Sequence, residues 1–289
     1  MASTTLFSAL NPFSRRRSAF DRAVQFVARF GYGARGFVYL SIGLLTLMAA
    51  LDMVGSSVGT GGAVGALAQQ PFGRVWLILL GTGLWAFVLW RVLQALFDAD
   101  GEGTSPKALM LRAGQAISGV FYGLLAATVF ELLDEVGRDP SADDVAENQQ
   151  KAAMLLDLPF GDLLLIGVGL VIAGVGVGNI LKGFGADFGE DLACTMEQKR
   201  WFTRIARAGY VARGLAYLPL ALFVVLAGLR ARAESVTSFG ASLNALEAQP
   251  GGSWMLGLTA IGLMAFGAFA FVEARFRRIR TPDLNPLNG

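Results

Sequence analysis

Two short stripes carry the chain's most suggestive chemistry: Tyr32, Arg35 and Tyr39, and again Tyr210, Arg213 and Tyr217. Steps of three and four residues put each trio on one helix face, so each is a row of aromatic rings around a guanidinium. At the boundary of a membrane such a row has two uses. It anchors the helix, with tyrosines at headgroup depth and the arginine on a lipid phosphate. Alternatively, Arg35 or Arg213 pairs with Glu273, the acid at the end of the last apolar run, because all three fall at similar depth and each charge is costly alone. Arg29 and Arg207 lead into the two stripes, while Arg112 and Tyr122 hold matching places in a weaker copy between them.

Other chemistry is narrowly bounded. The chain has no histidine, so the usual zinc, haem and copper ligand sets cannot form, and Ser-His or Cys-His catalysis is excluded. Its single cysteine, Cys194, has no internal disulfide partner. Asp52, Glu131, Asp157 and Asp162 are the acids an intramembrane enzyme would use, and their spacing matches no catalytic signature. The expectation is therefore a protein without enzymatic activity, without a cofactor and without a metal.

The stripes sit in a repeated phrase. Ala28-Arg29-Phe30-Gly31-Tyr32-Gly33-Ala34-Arg35-Gly36 returns 178 residues later as Ala206-Arg207-Ala208-Gly209-Tyr210-Val211-Ala212-Arg213-Gly214. A degraded copy runs from Leu111 to Gly119, with Gln115 in place of the tyrosine and Ser118 in place of the second arginine. Each copy opens an apolar run, so the chain is one unit used three times.

With 54% hydrophobic and 16% charged residues, the chain holds more apolar surface than a soluble domain of 289 residues needs for its core. Six runs are free of charge: Gly36 to Leu51, Val75 to Trp90, Ala113 to Phe130, Leu163 to Leu181, Gly214 to Leu229 and Ala248 to Val272. They predict an all-α polytopic membrane protein of six transmembrane helices, arranged as three pseudo-repeated hairpins about an axis along the membrane normal. The shortest runs reach about 24 Å as helix against a hydrocarbon core of about 30 Å, so their bounding arginines are expected to snorkel outward. Within each repeat a proline and glycine announce the second helix: Pro71-Phe72-Gly73, Pro159-Phe160-Gly161 and Pro250-Gly251-Gly252. Proline suits a helix's first turn, where its missing N–H leaves no bond unmade. Before each lies a short amphipathic segment, Gly62 to Gln69, Asp144 to Leu156 or Phe239 to Ala248, read as a helix on the outer surface.

The implied organisation is a tail over residues 1–24, repeats over 25–100, 107–188 and 201–280, and a second tail over 281–289. Nineteen Lys and Arg residues fall on the side of the chain termini and only five on the other, so both termini are expected in the cytoplasm. Arg15, Arg16 and Arg17 resemble an export signal, but Asp21, Arg22, Arg29 and Arg35 break the clean apolar run that such a signal needs after its basic region. The outer loop from Glu131 to Asp162 is acidic and reads as a solvated segment.

Three two-helix units, opened by Ala-Arg-x-Gly-Tyr-x-Ala-Arg-Gly-x-x-Tyr and then Pro-Phe-Gly, resemble the bacterial integral membrane family called domain of unknown function 1206. The likeness covers about residues 25–280. It rests on Arg29, Gly31, Tyr32, Arg35, Gly36 and Tyr39, on Arg207, Gly209, Tyr210, Arg213, Gly214 and Tyr217, and on the ending Glu273-Ala274-Arg275-Phe276-Arg277-Arg278. The resemblance implies a fold plan and no particular activity.

Small residues complete the picture. Gly167, Gly174 and Gly178 share one side of the fourth apolar run and are expected to let a neighbouring helix approach closely. No acid lies at mid-membrane depth, which argues against proton-coupled transport. The function this supports is structural, accessory or lipid-binding. Its expected partners are the bilayer, anionic headgroups and a second membrane protein, with no nucleic acid. The alternative is a passive channel or facilitator along the pseudo-threefold axis.

Overall fold

The computed structural model describes residues 12–53, 59–134 and 140–280. The chain runs through α1 (Pro12–Ala50), α2 (Thr60–Ala68), α3 (Gly73–Phe97), α4 (Pro106–Asp134), α5 (Pro140–Leu156), α6 (Gly161–Gly185), α7 (Met196–Arg230), α8 (Phe239–Glu247) and α9 (Gly252–Phe276). Helices α1, α3, α4, α6, α7 and α9 each hold a stretch long and apolar enough to cross a membrane. Their outer sides expose Trp85, Leu89, Leu124, Leu170 and Leu222, the inverse of a soluble bundle's surface. The short helices α2, α5 and α8 all lie at one end, where the sequence places its surface segments. The opposite end carries the loops 98–105 and 186–195 and is called here the loop face.

Two expectations need correction. The amino-terminal tail is not separate as far as residue 24, because α1 already begins at Pro12 and Val24 is buried. Nor do the prolines start the helices. Each occupies the second place of a turn closed by a backbone bond, Gly73 N–H to Gln70, Gly161 N–H to Leu158 and Gly252 N–H to Gln249. The third place is left-handed, with φ of 62° at Phe72, 61° at Phe160 and 74° at Gly251. Proline followed by a left-handed residue is the type II turn pattern.

Long helices pack most extensively across repeat boundaries: α3 with α4, α6 with α7, and α9 with α1. Each pair joins the second helix of one repeat to the first of the next, the last repeat closing on the first. Glycines permit the approach. A Cβ on Gly36 of α1 would stand 2.9 Å from the Gly267 carbonyl oxygen of α9, and one on Gly214 of α7 only 2.5 Å from that of Gly176 in α6.

The pairs then join through helices of the same repeat, α1 on α3 and α7 on α9, while α4 and α6 make no comparable contact. The six helices thus follow the order α4, α3, α1, α9, α7, α6, a ring left open at one joint. Equivalent glycines report the difference directly. A Cβ on Gly31 would lie 2.6 Å from the Phe87 backbone and one on Gly209 2.5 Å from that of Phe266, but one on Gly114 meets nothing.

The stripe Gly167, Gly174 and Gly178 is also not a packed face, since a Cβ at any of the three meets nothing within 4 Å. Helix α7 lies instead against Gly169, Gly176 and Gly183. The small residues of α6 serve two directions, and sequence spacing alone does not say which one a neighbour takes.

Candidate functional site

Arginines and tyrosines of the repeated phrase turn inward. Arg35 is 1% exposed and forms an ion pair with Glu273 of α9, itself 4% exposed. Its guanidinium lies over the rings of Tyr32, Phe87 and Phe266, each 5.0–5.1 Å from centroid. Glu273 also accepts a bond from Arg277 at 2.7 Å, and Arg277 reaches Asp100 at 3.2 Å. Asp100 accepts further bonds from Gln94 at 2.6 Å and Gln115 at 3.3 Å. Gln94 in turn accepts from Arg91 at 2.9 Å, and Trp90 donates to the Tyr32 hydroxyl at 3.1 Å. Burial works against the Arg277 charge, but Tyr32, Asp100 and Glu273 around it outweigh that and hold its pKa well above the ordinary arginine value.

Arg213 has the same place in the third repeat and different company. It donates to the hydroxyls of Tyr39 at 2.9 Å and Tyr217 at 3.3 Å, and to the Asn179 side-chain carbonyl at 3.2 Å. Its guanidinium stands 4.6 Å from the Phe266 centroid, so one ring separates the two arginines. Among the described residues no carboxylate contacts Arg213.

Alignment of the second helices explains the contrast. Counting from the first glycine of each, Gln94 in α3, Lys182 in α6 and Glu273 in α9 hold the same place. The position that gives Arg35 its acid gives Arg213 a second cation, and gives Ser118 a neutral amide. Lys182 lies 5.0 Å from the Tyr210 centroid. It lines a cavity of about 70 Å³ with Asp187, Phe188, Asp191, Glu273 and Arg277.

The anchoring expectation fails for the tyrosines: Tyr32, Tyr39, Tyr122 and Tyr210 are all buried at 5% or less. Facing lipid, each ring would leave a void in the bundle and a guanidinium without its aromatic cover. Arg29 and Arg112 have a different task. Arg29 donates to the carbonyls of Ala274 at 2.7 Å and Arg275 at 2.6 Å, and Arg112 to those of Ala95 at 2.9 Å and Leu96 at 3.0 Å. These are the same two places in the last turns of α9 and α3, whose carbonyls lack intrahelical partners. Arg207, the third equivalent, is exposed.

Trp90, Arg91, Gln94, Asp100, Asn179, Phe266 and Arg277 were not foreseen as parts of this network. Register among the three second helices was the signal that would have found Gln94 and Asn179. Asp52, Glu131, Asp157 and Asp162 are exposed and are not brought together, and the described residues hold no group of three His, Cys, Asp or Glu suited to a metal. Of the acidic loop, Glu147 pairs with Lys151 at 2.5 Å. The side chains of Asp134, Glu135, Asp139, Asp143 and Asp144 lie outside the described residues.

The arrangement offers donors and cationic charge in an apolar setting. Chemically it can hold an anion.

A family model described as Domain of Unknown Function (DUF1206) matches residues 30–98, 113–186 and 208–277, one segment in each repeat. A protein of Bacillus subtilis (strain 168), described as uncharacterized protein YxxB, is 28% identical over 256 residues, spanning 87% of this chain and 90% of that one. No solved structure matches.

Proposed function

Since the chain belongs to the DUF1206 family, whose description assigns no activity, we propose its role from the site: a multi-pass protein of the bacterial cell membrane that binds anionic lipid and acts as a structural or accessory component. Both termini and the loop face are cytoplasmic in this reading, because the Lys and Arg residues concentrate there.

The observation that carries it is Arg213. This arginine lies six residues inward of Arg207, about 9 Å along the helix, within an apolar span. Its hydrogen bonds are all donated to neutral oxygens, so its charge is solvated by dipoles and rings but not balanced. A half-buried cation of this kind within an apolar span favours an anionic partner, and lipid phosphate is the anion a membrane supplies. Permeation along the axis has less support. Tyr39, Tyr217 and Phe266 meet there in direct contact, and Val64 of α2 and Leu243 of α8 are buried at the capped end.

The test is thermal unfolding of the purified chain in nanodiscs of phosphatidylcholine, with and without phosphatidylglycerol. Ligand that binds only the folded state raises the midpoint. The expected result is a higher midpoint with the anionic lipid, and a smaller rise in Arg213→Gln. Equal midpoints in both bilayers would overturn the reading.

A further inference from the structure

We infer that the open joint between α4 and α6 is a lateral binding site for one anionic phospholipid, whose phosphate is held by Arg213. This rests on the lipid-binding reading above and adds the location of the lipid and the reason this joint receives it.

The two closed joints are filled by aromatic side chains. At one, Tyr32 packs on Phe87 with centroids 5.4 Å apart and accepts a bond from Trp90. At the other, Tyr210 packs on Phe266 at 5.0 Å and on Phe269 at 6.3 Å. Repeat two carries Gln115, Val175 and Gly178 at these places. If α4 closed onto α6 as its equivalents do, three large rings would be missing and a void would remain, which close-packed interiors do not tolerate. The joint stays open instead. Val171 is 43% exposed, whereas its equivalents Gly83 and Gly262 are buried. Between two membrane-spanning helices, the material that fills such an opening is lipid.

Polar groups beside the opening select the charge. Asn179 on α6 touches Arg213, and Tyr122 on α4 stands at the repeat position of Tyr39 and Tyr217, whose hydroxyls both meet that arginine. Tyr122 is 5% exposed, and its buried hydroxyl stands beside that of Tyr39 without a well-formed hydrogen bond. A guanidinium without an acid and a buried phenol without a well-formed hydrogen bond share one remedy. Each can donate to a phosphate oxygen while the acyl chains run along Phe121 and Val171, both exposed at the opening.

Native mass spectrometry of the detergent-purified full chain, titrated with dioleoyl phosphatidylglycerol or phosphatidylcholine, tests this. Wild type is expected to retain one phosphatidylglycerol with about tenfold preference. Gly178→Trp, which restores the ring found at Trp90, should weaken that binding about tenfold. Gly114→Leu, on the facing helix, should do the same, so the test does not depend on one variant folding. Leu258→Trp, on the exposed face of α9 and away from the joint, should leave binding unchanged. Undiminished binding in both gap variants would overturn the site and leave the lipid reading standing. No preference in wild type would overturn both. Cross-linking between copies by Gly178→Cys in a Cys194→Ser background would assign the opening to a second copy and overturn the lipid site.

Discussion

Tyr39 of α1 and Tyr217 of α7 share a hydrogen bond of 2.9 Å although 178 residues separate them, the full distance between the first and third copies of one phrase. Repetition in sequence has become convergence in space. Both hydroxyls also accept from Arg213. Replacing either tyrosine by Phe should cost about 1.5–3 kcal/mol, the usual loss for a hydrogen bond to a charged group. The double variant should cost less than the sum, because both act on one guanidinium. Tyr122→Phe removes a hydroxyl without a well-formed hydrogen bond and should cost little in lipid-free detergent. Thermal unfolding of the four proteins measures all of this, and a loss at Tyr122 equal to that at Tyr39 would contradict it.

The pair of Arg35 and Glu273 should behave as a buried unit. Removing either charge is expected to cost about 3–5 kcal/mol by leaving the other uncompensated. Exchange of the two, Arg35→Glu with Glu273→Arg, should recover part of the folded yield. Recovery stays partial because Arg277 also bonds to position 273. Strictly additive losses in a double-mutant cycle would rule the coupling out.

The open joint predicts opposite effects for three equivalent glycines. Gly31→Ala and Gly209→Ala push a methyl into the backbone of Phe87 or Phe266 and should destabilise by about 1–3 kcal/mol. Gly114→Ala meets open space and should be neutral or slightly stabilising, as alanine is the better helix former by about 1 kcal/mol. Equal destabilisation at all three positions would mean that the ring is closed.

Cys194, partly exposed in the loop between α6 and α7, reports which side the loop face occupies. A thiol reagent unable to cross membranes should label it in inverted vesicles and not in intact cells. Labelling from outside would reverse the orientation.

Proteoliposomes holding the purified chain should pass neither ions nor small neutral solutes above the empty-vesicle rate, because Tyr39 joins Tyr217 and Phe266 in direct contact between α1, α7 and α9. Sustained flux of any one solute would restore the channel reading.

Much of this was legible in the chain. Six spans come from the number of charge-free apolar runs, three repeats from a recurring phrase and the short helices from the mixed segments before each proline, and the coupling of Arg35 or Arg213 to Glu273 came from depth alone. Which arginine takes the acid did not. Sequence shows how far along a helix a charge sits, but not which side chain it meets: α9 packs on both α1 and α7, and Glu273 points to Arg35 of α1. The same limit applies to Gly167, Gly174 and Gly178, whose spacing suggests a packed face, and to inward tyrosines whose place beside an arginine suggests interfacial anchors.

The sequence by itself determined spans, their order and the departure of repeat two, since hydrophobic length and repeat register are local properties. Only the tertiary structure decided that helices pair across repeats, that Arg213 lacks an acid and that one joint stays open. Those outcomes depend on which side chains meet at each crossing, and the loss of three rings at the α4 and α6 crossing matters only once α4 and α6 are known to be the helices left apart.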